Sequence, residues 1–200
     1  MMRYSGFYWT LPVFWAGFRK LDPDAAVAAS QSRTIRYQRE LIKQWIRRAG
    51  GTLVRETVAM EAAPDRASGA ILVDLEKALT HAMKDQARLV LVDFAEAQGW
   101  RRHGPLWQRL AEEDVEVLSP APLVIDNEAF DPRDHFRAWR EIEVAHVRSK
   151  PEHRTLILAA VSEMADLSVA ARAEALNGAG LRSFTGRLWS EDNLRKFLSM

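Results

Sequence analysis

Two groups of cations have the plainest chemical use in this chain. Arg33, Arg36, Arg39, Lys43, Arg47 and Arg48 follow one predicted helix, and Arg182, Arg187, Arg195 and Lys196 gather near the C-terminus. A phosphate surface responds to such a local field even though the net charge is only +1. The same residues would serve equally as solvated faces. Asp93 and Glu96 stand at the end of the most apolar strand-like run, where α/β sheets keep their sites. As a carboxylate pair they could move protons, or they could be a hydrophilic strand end. The five histidines include no HExxH; Asp131 with His135, and His146 with His153 across Pro151, come nearest to a ligand set, or are solvated helix residues. The absence of cysteine excludes disulfides and thiolate metal sites. Neither common Gly-rich phosphate loop occurs.

The elements that must position these groups follow from apolar spacing. The chain has 200 residues, 48% hydrophobic and 28% charged, which suits one globular domain with an appendage. Residues 12–18 read as a buried first strand. The aromatic start is its lead-in and not a signal peptide, because Arg3, Pro12 and the large aromatics break the cleavage pattern. From Thr34, the spacing of Ile35, Leu41, Ile42, Trp45 and Ile46 predicts a helix that stops at Gly50-Gly51. Strands at 53–60, 88–94 and 115–118 then alternate with helices at 70–83 and 103–112, which predicts a doubly wound α/β layer structure. Past Pro120 the pattern turns helical, with Asp131-Pro132 as cap and first turn and an apolar stripe of Phe136, Trp139 and Ile142. Residues 153–176 contain no Gly or Pro and would make a helix of ~36 Å if unbroken. Asn177-Gly178 and Gly180 close it, and Ser190 caps a last short helix. No apolar run reaches the ~20 residues of a membrane span, so a cytoplasmic protein off the membrane is expected.

The tail ALNGAGLRSFTGRLWSEDNLRKFL, residues 175–198, resembles a segment of the serine recombinases, the resolvase/invertase family. Leu176, Asn177, Gly180, Gly186, Trp189, Ser190, Leu194 and Leu198 match in order. Weaker similarities precede it. VFWAGF at 13–18 sits where the family has its first strand, QSRTIRYQ at 31–38 is similar to the entry to its first helix, and LILAAVSEM at 156–164 is similar to the opening of its long helix. Residues 127–150 exceed the corresponding stretch. The resemblance implies an α/β fold: a resolvase-like parallel-sheet domain over 10–125, a helical connector over 126–152, and a long helix with a small helical C-terminal unit over 153–200.

In that family a serine hydroxyl attacks a DNA phosphodiester while arginines neutralise the developing charge, chemistry that requires preorganised cations at phosphorus. On the resemblance, the first active-site arginine falls at Gly17 and the serine at Arg19. An aspartate falls at Ala95, and two further arginines fall at Glu96 and Gly99. Only Arg66 answers to a family arginine. The resemblance therefore implies a DNA-binding protein that has lost strand cleavage, works without a cofactor, and has DNA and a second copy of itself as partners. Arg172, Arg182, Arg187, Arg195 and Lys196 are the implied phosphate contacts. The sequence also admits two alternatives. One is an active recombinase using a displaced serine, Ser5, Ser30 or Ser32, with Arg101 and Arg102 supplying charge. The other is a dimerisation or interaction module without DNA binding, in which Phe136, Trp139 and Ile142 form either a partner surface or domain packing.

Overall fold

A computed structural model describes residues 1–62, 69–95 and 103–200. It is an α/β protein with one parallel four-stranded sheet and, among the described residues, eight α-helices. The chain divides into two compact units, Met1–Pro12 with Lys20–Ala138, and Val13–Arg19 with Trp139–Met200.

The first unit is the α/β layer. Its elements are β1 (Arg3–Thr10), α1 (Ala25–Gln31), α2 (Arg33–Arg48), β2 (Thr52–Met60), α3 (Ala70–Lys84), β3 (Arg88–Val92), α4 (Gly104–Leu110) and β4 (Val115–Leu118). A small antiparallel hairpin follows, β5 (Leu123–Ile125) and β6 (Glu128–Phe130). The parallel sheet runs in the order β2-β1-β3-β4. Alternation along β1 sends Tyr4 and Tyr8 into a core with α1, α2 and the hairpin, and Phe7 and Trp9 into a second core with α3 and α4. Val90 and Val92 of β3 face the first core, and Leu89 and Leu91 the second. A strand covered on both faces is what a continuously apolar run requires.

The first strand is Arg3–Thr10 and does not lie at 12–18. Both stretches are apolar, but only the earlier one finds β2 along one edge and β3 along the other. Residues 13–18 instead close on themselves through a single Val13–Phe18 bridge around the 3-10 turn Phe14–Ala16, with Gly17 at φ 79. That left-handed value suits glycine and ends any extended run. β1 and β3 pair only from Tyr4 to Gly6, after which they part. Gln38 of α2 fills the gap: its Oε1 accepts from the Trp9 N–H at 3.1 Å and its Nε2 donates to the Trp9 carbonyl at 2.8 Å. A buried side-chain amide thereby satisfies backbone groups the sheet leaves open.

The second unit is helical. It contains the later part of α5 (Pro132–Arg148), then α6 (Lys150–Ser162), α7 (Val169–Gly178) and α8 (Glu191–Leu198). Ile157, Val161, Ala173, Leu176, Trp189 and Leu194 form its core. The single helix expected over 153–176 is two helices. Ser168 caps α7 by accepting from the Ala171 N–H, and Arg172 donates to the carbonyls of Met164 and Ala165. These bonds take up groups that the interruption frees, while Ala173 and Leu176 join Ile157 and Val161 in one core. Among the described residues no helix is long and apolar enough to cross a membrane.

Candidate nucleic-acid interface

Several of the tail residues have a physical task inside the helical unit. Leu176 is buried at the end of α7, and the Asn177 amide grips the backbone of Trp189, its Nδ2 donating to the carbonyl and its Oδ1 accepting from the N–H, both at 2.9 Å. Arg182 donates to the Asn177 carbonyl at 2.8 Å. The loop tightens where the Gly186 N–H donates to the Ser183 carbonyl and the Ser183 N–H to the Arg187 carbonyl. Gly186 has φ 76, and a Cβ there would lie 2.3 Å from the Phe14 carbonyl oxygen, so the position admits no side chain. Buried Trp189 meets Phe197 edge-on at 5.2 Å. Ser190 and Asn193 form a reciprocal capping box, so α8 starts with its first N–H groups satisfied.

Residues 13–19 belong to this same unit, as a strap against the loop. Trp15, His146 and Phe184 stack in series at 4.3 and 4.2 Å. The Nε2 of His146 lies 3.2 Å from the Phe184 carbonyl and that of His153 lies 2.9 Å from the Arg182 carbonyl. Carbonyls only accept, so both Nε2 atoms carry the proton and hold the loop. His135, in the first unit, packs against Phe130 and Phe136, and burial, helped by Arg33, pushes its pKa down to about 4. Asp131 is occupied as a helix cap, accepting from the Arg133 N–H. Among the described residues no cluster of three metal-ligating side chains forms.

The five expected phosphate contacts have different surroundings. Arg172 and Arg182 donate to carbonyls, Arg187 lies over the Phe14 ring at 5.8 Å, Arg195 pairs with Glu191 on its own helix, and Lys196 is exposed. In the first unit the first three arginines of α2 are already matched. Arg33 faces Glu128 at 3.6 Å, Arg36 pairs with Asp126, and Arg39 with Glu56 at 2.7 Å. Burial would raise the Glu56 carboxyl, but hydrogen bonds from Arg39 and Tyr8 outweigh it and hold the group below its ordinary value. A cleft of about 430 Å³ beside α2 includes the paired residues Arg36, Arg39 and Asp126 in its lining.

The expected strand-cleavage positions fall in both units. Gly17 lies in the strap turn and Arg19 donates to the Gly186 carbonyl, both in the helical unit, because the strand meant to present them ends at Thr10. Ala95 follows β3 in the first unit, its N–H donating to the Asp93 carboxylate at 2.9 Å. Arg66, Glu96, Gly99, Arg101 and Arg102 lie outside the described residues. The candidate hydroxyls have local roles or none: Ser30 donates to the Val27 carbonyl, Ser32 caps α2, and the Ser5 Oγ is buried without a partner. Of the apolar stripe on α5, Phe136 is buried against Phe94 and Trp139 meets Trp15, while Ile142 is 48% exposed.

One polar pair gave no sequence signal. His103 Nε2 lies 2.8 Å from Glu61 Oε2 with both side chains fully buried, and His103 Nδ1 accepts from the Leu106 N–H at the start of α4. That second bond places the ring proton on Nε2, where it is donated to the carboxylate. Forty-two residues separate the partners, beyond any local spacing rule. Protein-family profiles, curated proteins and solved structures, each compared with the chain, yield no match.

Proposed function

We propose that this chain is a resolvase-like DNA-binding protein that holds duplex DNA through its C-terminal helical unit and does not cut it. The observation that carries the reading is α8: a helix with a reciprocal capping box, seated by Leu194 and Trp189, that turns Lys196 to solvent beside Arg195, which is exposed and paired with Glu191 on the same helix. A rigid helix presenting cations suits the phosphate backbone, where contacts position a protein and make its affinity salt-dependent. Loss of cleavage is supported by the residue types at Gly17, Arg19 and Ala95, none a nucleophile or a guanidinium where the resemblance calls for one, and by Ser5, Ser30 and Ser32, none of which meets a guanidinium among the described residues. A second copy of the chain is the other proposed partner. Ile142, Val144 and Val147, each about half exposed on α5, favour self-association.

The test is binding of the full chain to duplex DNA across a salt series. The Arg195→Glu, Lys196→Glu double variant should bind roughly tenfold more weakly or worse at low salt. Unchanged affinity would remove α8 from the interface. Incubation with nicked duplexes should give no covalent protein–DNA adduct; an adduct would establish instead an active recombinase with a displaced serine. Self-association without any DNA binding would leave an interaction module.

A further inference from the structure

Arg19, which the resemblance places at a nucleophile's position, lies on the fold beside the C-terminal loop. It is exposed and donates to the Gly186 carbonyl. Gly186 is pressed so closely on Phe14 and Trp15 that strap and loop are held at backbone level, which ties the charge of Arg19 to that of the adjacent Arg187. Arg187 rests over Phe14, and Arg182 begins the same loop with a bond to the Asn177 carbonyl. The hydroxyls of Ser183 and Thr185 lie 3.2 Å apart between them in sequence. Among the described residues none of these three arginines has a carboxylate within ion-pair distance, whereas Arg195 one helix away does. A bond to a neutral carbonyl uses one or two of a guanidinium's five N–H groups and leaves its charge uncompensated.

We infer that Arg19, Arg182 and Arg187 form a single phosphate-binding surface spanning the strap and the loop, and that its ligand is the phosphodiester backbone of DNA. This inference rests on the DNA-binding reading and extends it to a residue far away in sequence. Preorganisation supports it: each guanidinium is already oriented by a carbonyl or a ring, so less side-chain freedom is lost when a phosphate accepts the remaining N–H groups. The role of Arg19 is therefore to bind phosphate and not to stand in for a nucleophile.

The experiment uses the full chain, a fluorescent duplex and a salt titration, with a melting temperature for each variant. Arg19→Gln should weaken low-salt binding several-fold and reduce the slope of log affinity against log salt by ~0.9, the value for one phosphate contact. Arg19→Lys, which keeps the charge but not the planar fork, should keep the slope. If Arg19→Gln matches the wild type in slope and affinity while the Arg195→Glu, Lys196→Glu variant binds weakly, the surface proposed here is wrong and the DNA-binding reading stands. Equal losses in Arg19→Gln and Arg19→Lys, together with lowered melting temperatures, would make Arg19 a support for the loop and overturn its role as a phosphate ligand. A wild-type chain that binds no duplex at low salt would overturn both readings together.

Discussion

The two units differ in how most of their hydrogen-bonded arginines are used. In the α/β unit five guanidinium groups lie against carboxylates within 3 Å: Arg36 with Asp126, Arg39 with Glu56, Arg55 with Asp85, Arg88 with Asp114 and Glu116, and Arg109 with Glu76 and Glu113. In the helical unit Arg19, Arg172, Arg182 and Arg187 turn instead to backbone carbonyls or a ring. A carboxylate cancels a cation's field at a distance, while a carbonyl merely orients it. A count of basic residues is therefore a poor guide to where a polyanion would bind. By count α2 outranks the tail, yet its first three arginines already face acids.

The largest expected effect comes from testing whether the units have separate cores. Trp189→Ala should cost the helical unit about 3–5 kcal/mol, the usual range for a large buried aromatic. Amide exchange would then speed up in α7 and α8 while β1 and β3 keep their protection. Equal losses of protection in both units would show one cooperative block and dissolve the contrast.

A smaller effect separates the units by pH. His135 is neutral in the folded α/β unit, with its pKa depressed from the ordinary value to about 4. The unfolded chain binds a proton near pH 6.5 and the folded chain does not, so the stability from this ring is complete above about 6.5 and is lost as pH falls towards 4. Discounted for partial exposure, the loss is about 1–2 kcal/mol. His135→Phe should flatten that part of the stability profile measured by denaturant unfolding. If the variant's profile parallels the wild type's between pH 6.5 and 4, the ring is not the titrating group.

The smallest effect concerns α8. Ser190→Ala removes half of the capping box and should destabilise the helical unit by ~1 kcal/mol, read as a lower denaturation midpoint. No change would mean that α8 is held by Leu194 and Trp189 alone.

Much of the architecture could be read locally. The strands β2, β3 and β4 and the helices α2, α3 and α4 follow apolar periodicity, since side-chain direction repeats every two or 3.6 residues whatever the rest of the chain does. The cap at Ser190 and the turns at Gly180 and Gly186 are local too, because a left-handed φ or a capping hydroxyl is a property of a few neighbouring residues. The first strand was not decided this way. Residues 3–10 and 12–18 are both apolar, and pairing with β2 and β3 chose between them. Tertiary structure likewise decided the joining of Glu61 to His103, and Leu176 and Ile157 share one core across the break between α6 and α7. For the candidate interface, the sequence by itself determined the tail's glycines, its tryptophan and its number of cations. Tertiary structure decided which of those cations keep an uncancelled charge, and brought Arg19 among them, because a Coulomb field depends on distances in space and not on separation along the chain.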